Sequence, residues 1–206
     1  MAKERKNIKM LTKRNLGSKF IEAIMEHNSD LYHFNVASKD KCEGGAGPDK
    51  KMIMMSCMYA TNAKLVVETG FNFGGMAATM AEGLELTKGR YVGFEIREGT
   101  KPTLELLKTV YSNIDVVYGD SKVTVPEFFS KNDKCDVFFV DGQHDKVGLQ
   151  TDLKHALQYT RKNGIIMIDD VDSLRPWVAE LIPENECIWF QHTQHNGPGS
   201  CIYQVK

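Results

Sequence analysis

The sequence contains no apolar run long enough to cross a bilayer, and its charged start lacks the apolar stretch of a secretory signal. It has no CxxC pair. Its cysteines, Cys42, Cys57, Cys135, Cys187 and Cys201, are odd in number. That argues against a disulfide framework and against a zinc ribbon, so the five thiols are expected reduced and the compartment cytoplasmic. There is no excess of charge of either sign, with a net charge of −1 over 206 residues. No nucleic-acid or anionic-membrane partner is therefore expected. Lys3, Arg5, Lys6, Lys9, Lys13 and Arg14 face only Glu4, and this basic start reads as a solvated terminus. Internal repeats and long low-complexity tracts are also missing. What remains is an ordinary globular composition, 42% hydrophobic and 26% charged, sized for one domain or one domain with a small cap.

Two parts differ in texture. Up to about residue 60 the pattern is irregular. A helix is predicted from Ser18 to Glu26, where Phe20, Ile21, Ile24 and Met25 recur at helical spacing. A glycine-rich loop is predicted from Ser38 to Lys51, and a second helix follows it. Residues 1–60 thus read as a helical cap, with the Gly44 to Pro48 stretch as a lid, on a domain spanning 61–206.

From Lys64 onward, short continuous apolar runs alternate with amphipathic stretches. The runs lie at 65–68, 91–95, 115–119, 136–141 and 164–169, and their continuity fits strands buried on both faces. A helix is predicted from Lys146 to Lys162 with Gly164 as its stop, and Pro102 marks the start of another. Alternating strand and helix imply a doubly wound α/β fold with a mostly parallel sheet. The last two runs, 187–193 and 200–206, are joined by a turn-rich segment and read as an antiparallel hairpin, which makes seven strands.

In open α/β sheets, ligands bind beyond the carboxyl ends of the strands. The first run ends in Glu68-x-Gly70-x-x-x-Gly74-Gly75, which is not the GxGxxG of a nicotinamide site. An acidic residue just before the turn suits an amino or sulfonium group better than a pyrophosphate. The second run ends at Glu95, placed to accept from two ribose hydroxyls. The third ends at Asp120 and Ser121, placed to meet an adenine amino group. Each piece alone also fits a tight turn or a solvated strand end; their order after three successive strands is the specific feature.

The fourth run ends in VDGQHD and the fifth in IDDVD. Asp141, Asp169 and Asp170 would converge at one sheet edge, where three carboxylates repel unless a cation joins them. Oxygen ligands suit Mg²⁺ or another hard divalent cation better than zinc. His144, on the same loop, is a candidate general base. The competing readings are local: Asp170 as a helix cap, Asp141 as a loop tether, His144 as a surface residue.

Residues 64–206 resemble the class I methyltransferases, a Rossmann-like family, on the strength of the Glu68–Gly74 motif, Glu95 and Asp120 with Ser121. VDGQH with the downstream DD pair is similar to the metal-dependent O-methyltransferases of the catechol, macrolide-sugar and cephalosporin-biosynthesis types. The resemblance implies S-adenosylmethionine as cofactor, with Glu68, Gly70, Asn72 and Gly74 around its methionyl part, Glu95 on the ribose, and Asp120 and Ser121 on the adenine. It implies Mg²⁺ on Asp141, Asp169 and Asp170, with Asp141 and His144 in the catalytic role. The partner is then a small-molecule hydroxyl acceptor, and at most a second copy of the chain. Met76 departs from the serine often found at its place, which removes one expected contact to the methionyl carboxylate. The catechol type carries a lysine where this chain has His144, so a catechol is not implied. Two other functions fit less well. A metal-free N- or RNA methyltransferase would want an NPP-like tetrapeptide where VDGQ stands. A non-catalytic S-adenosylmethionine-binding protein would not need the aspartate and histidine set.

Overall fold

The computed structural model describes residues 47–191 and 199–206. The predicted helix at 18–26, most of the lid and the turn carrying His192 and His195 lie outside them.

One seven-stranded sheet organises the chain. Its strands are β1 (Leu65–Thr69), β2 (Arg90–Glu95), β3 (Ile114–Tyr118), β4 (Cys135–Val140), β5 (Thr160–Ile168), β6 (Cys187–Phe190) and β7 (Ser200–Gln204). Their spatial order is β3-β2-β1-β4-β5-β7-β6. The first five pair in parallel, whereas β7 runs antiparallel to both β5 and β6. This is the predicted doubly wound fold with a terminal hairpin. All five residues of β1 and all six of β4 are buried, as continuous apolar strands between two helical layers must be.

The helices are α1 (Pro48–Thr61), α2 (Gly75–Thr87), α3 (Lys101–Lys108), α4 (Ser121–Phe129), α5 (Lys146–Tyr159) and α6 (Val171–Ala179). One face of the sheet packs Met54, Met58, Met80, Leu84 and Leu107 of α1, α2 and α3. The other packs Val125, Leu153, Ala156, Leu174 and Val178 of α4, α5 and α6. Both cores are closed by fully buried side chains of β4, Phe139 on the first face and Phe138 on the second.

Two boundaries differ from expectation. The loop predicted to run to Lys51 ends at Gly47, and Pro48 opens α1. Proline is tolerated at a helix start because its missing N–H would have no acceptor there. The helix predicted to reach Lys162 stops at Tyr159, and Thr160 already belongs to β5. Thr160 pairs with Cys135, and a register irregularity between Cys135 and Val137 absorbs the extra residues around left-handed Asn163. Gly164 is therefore a strand residue at a bulge rather than a helix stop.

Candidate active site

The loop after β1 bends through three left-handed residues, Gly70 (φ 90°), Asn72 (φ 50°) and Gly74 (φ 72°). That alternation is the structural content of the Gly-x-Asn-x-Gly spacing. Gly70 also lies against the chain after β4, where a Cβ would overlap the Asp141 carbonyl oxygen. Gly70→Ala is therefore expected to destabilise the fold, by on the order of 3 kcal/mol, through strain and a backbone clash that cannot relax. Urea unfolding midpoints measure this.

Glu68 is buried at the end of β1 and accepts a hydrogen bond from the Tyr91 hydroxyl. Gly93, its partner in register, leaves room for that hydroxyl. Burial raises the Glu68 pKa well above the usual carboxylate range, against the lowering effect of Tyr91, and nearby Asp141 raises it further. A cation at this position would reverse that shift.

Glu95 ends β2 and is also buried. Its Oε2 accepts from the Asn72 N–H at 2.7 Å and its Oε1 from the Arg97 N–H at 2.8 Å. Arg97 donates a further bond to the Asn72 side-chain oxygen at 2.7 Å. Arg97 Nε also donates to Oε1, at 3.4 Å, so the carboxylate is fixed in orientation while Oε2 keeps a lone pair for a ligand. Ile96 follows it, an apolar side chain 68% exposed at the mouth of the site. Sequence reading missed Arg97 and Ile96, though their position just after the strand-end glutamate is a usable signal.

After β3, the exposed Asp120 caps α4 by accepting from the Lys122 N–H at 3.0 Å. Ser121 donates to the buried Asp152 carboxylate at 2.7 Å, which orients its hydroxyl toward α5.

The chain leaves β4 through Asp141 and β5 through Asp169 and Asp170. Asp170 adopts left-handed φ 55° and starts α6 without a side-chain capping bond. Its Oδ2 instead lies 3.0 Å from His144 Nδ1, while His144 Nε2 is 3.6 Å from Asp141 Oδ1. One ligand atom from each of Asp141, His144 and Asp170 falls within a group no more than 4.8 Å across. Hydrogen bonding to Asp141 and then to Asp170 raises the His144 pKa to about 10, outweighing partial burial. Burial pushes the Asp141 carboxyl up to about 6 despite its bond to His144. Asp169 sits deeper. It is ion-paired with Lys50 of α1 and accepts from Ser200 of β7 at 2.8 Å. Burial opposes the Lys50 charge, but Asp169, Asp141 and Asp170 outweigh it and raise its pKa.

Glu68, Glu95, Asp120, Asp141, Asp169 and Asp170 thus all stand at the carboxyl edge of the parallel strands. A family model described as a methyltransferase domain matches residues 67–171, just over half of the chain and the part that carries all of these. The chain belongs to the methyltransferase domain family. No curated protein matches it. Solved structures do, at low identity. An O-methyltransferase from Bacillus cereus in complex with SAH is 18% identical, with a TM-score of 0.70 over 86% of this chain and 90% of that one. The O-methyltransferase TomG from Streptomyces achromogenes, in complex with SAM, is 15% identical, with a TM-score of 0.70 over 85% and 89%. An SAH-bound methyltransferase from Podospora anserina is 17% identical, with a TM-score of 0.67 over 96% and 99%. These likenesses concern the fold of the described residues.

Proposed function

We propose that this methyltransferase uses S-adenosylmethionine to methylate a hydroxyl of a small molecule, with Mg²⁺ or another hard divalent cation at the acceptor. The observation that carries this is one juxtaposition. An oriented, buried Glu95 after β2 and the Asp141, His144 and Asp170 cluster after β4 and β5 share one sheet edge. The O-methyltransferases among the similar structures, two of them solved with SAH or SAM, support the same reading.

S-adenosylmethionine supplies an electrophilic methyl group on its sulfonium. Glu95 accepts from the ribose hydroxyls, and Ile96 offers an apolar surface to the adenine. Ser121 spends its proton on Asp152 and keeps its lone pairs, so Asp120 and Ser121 both offer acceptors to the adenine amino group. Glu68, uneasy as a buried anion, accepts the cationic end of the methionyl part. Gly70, Asn72 and Gly74 let the loop backbone approach it closely.

The Asp141 and Asp170 carboxylates fit a hard divalent cation, which takes oxygen ligands. Such a cation lowers the pKa of an acceptor hydroxyl. Asp141 and Asp170 hold it. Asp169 adds charge from behind, and becomes a ligand itself only where Lys50 gives way. His144 takes the acceptor proton. It can do so once its two carboxylates no longer hold a proton on it.

A specific observation favours a second reading. Lys50 and His144 already give these aspartates cationic partners within the protein, as a metal-free methyltransferase acting on nitrogen would need. Transfer from methyl-labelled S-adenosylmethionine to a panel of vicinal dihydroxy compounds and amines, with and without chelator, separates the two. Chelator-sensitive labelling of diols is expected. Labelling of amines alone, indifferent to chelator, would establish the second reading.

A further inference from the structure

Lys50 is the third residue of α1, where a helix's partial positive charge disfavours a cation. Its ammonium is nevertheless held there, ion-paired with Asp169 Oδ2, with 15% of the side chain exposed. Asp169 is deeper still, and its Oδ1 accepts from the buried Ser200 hydroxyl. Helix stability does not call for a lysine at this position; the pair with Asp169 does.

That pairing divides three carboxylates. Among the described residues, Asp141, His144 and Asp170 form a compact donor group, and Asp169 stands outside it. Asp169 is nonetheless the chain neighbour of Asp170, and its N–H is bonded to the carbonyl of Val140, the residue before Asp141. Lys50 also interacts electrostatically with Asp141 and Asp170. A lysine ammonium is a compact charge on a flexible four-carbon stem, so it can leave Asp169 without moving the helix axis. The rest of α1 is anchored independently, through Met54 and Met58 in the core. A divalent cation at Asp141 and Asp170 carries twice the charge of that ammonium and takes carboxylate oxygens directly. The two cations therefore compete for Asp169.

We propose that Lys50 is an exchangeable internal cation of this site: a divalent ion gains Asp169 as a third carboxylate ligand only by displacing the ammonium. Lys50 then sets the affinity for the cation, and loading of the site frees the first turn of α1 from the end of β5. This rests on the cation reading above. It also accounts for Asp169, expected from sequence as a ligand, being engaged by α1 in the folded chain.

The test is a double-substitution cycle read by Mn²⁺ binding, followed by electron paramagnetic resonance rather than by turnover. Lys50→Met is expected to tighten Mn²⁺ binding by about 10- to 100-fold, the worth of one contact to a charged group. In an Asp169→Asn background the same substitution should tighten it at least about tenfold less, because the third carboxylate is gone. No tightening by Lys50→Met would overturn the proposal. Equal tightening in both backgrounds would overturn it too, since the ammonium would then act only through its field. Lys50→Arg keeps the charge and is expected to stay within about threefold of the wild type; tightening equal to that of Lys50→Met also overturns it. Lys50→Gln carries the same expectation as Lys50→Met should the apolar variant not fold. If neither the wild type nor the neutral variant binds Mn²⁺ while S-adenosylhomocysteine still binds, the cation reading itself has failed and the proposal goes with it.

Discussion

Asp170→Ala is expected to abolish cation-dependent turnover while S-adenosylhomocysteine affinity stays within about threefold. Asp170 does not cap its helix; its carboxylate faces His144 and, through it, Asp141. The left-handed backbone at Asp170 turns that carboxylate into the cluster, and strained conformations of this kind are kept where the surroundings impose them. Losing a carboxylate that touches a divalent cation should cost more than the roughly 10- to 100-fold typical of an outer-shell change. Cofactor binding should survive, because Glu95 ends β2, on the other side of β1 from β4 and β5. Asp141→Ala should remove turnover too. Manganese binding followed by electron paramagnetic resonance, with turnover in parallel, measures both. Full activity of Asp170→Ala in the presence of chelator would remove the metal from the mechanism.

The second large effect concerns the proton. His144→Ala is expected to lower turnover by roughly 10²- to 10⁴-fold, the usual worth of general-base catalysis, with cation and cofactor affinities held within about tenfold. In the metal-free protein, Asp141 and Asp170 hold His144 protonated, with a pKa near 10. A protonated imidazole cannot accept the acceptor's proton at neutral pH. A divalent cation held by these carboxylates would weaken their hold and lower the imidazole pKa toward its ordinary range. The wild-type rate should then rise with pH through that ionisation, and the variant should lack this limb. An unchanged rate and profile would make His144 a loop residue and leave Asp141 as the base.

The strands were legible because burial on both faces demands continuous apolar runs, and β1 to β5 carry them. The strand-end residues followed from topology, since a parallel sheet delivers every carboxyl end to one edge. The start of α1 was not legible. GGAGPD reads as a loop by composition, yet Pro48 opens a helix whose first turn brings Lys50 to Asp169 across 119 positions of sequence. Nothing local encodes such a contact. The commitment of Ser121 to Asp152 and the link between Arg97 and Asn72 are likewise set by packing between distant segments. Asp170 shows the opposite limit. A carboxylate before a helix looks like a cap, and only its left-handed backbone and the nearby imidazole show what it faces.

Calorimetry with S-adenosylhomocysteine, on the wild type and on Glu95→Ala, tests the cofactor assignment most directly. Glu95 is held by two backbone N–H groups, so its removal deletes acceptors already in place for the ribose. The wild type is expected to bind one equivalent, and the variant to bind at least about tenfold more weakly, the loss of one or two hydrogen bonds to a charged acceptor. No heat with S-adenosylhomocysteine in the wild type, together with saturable binding of NAD, would contradict it.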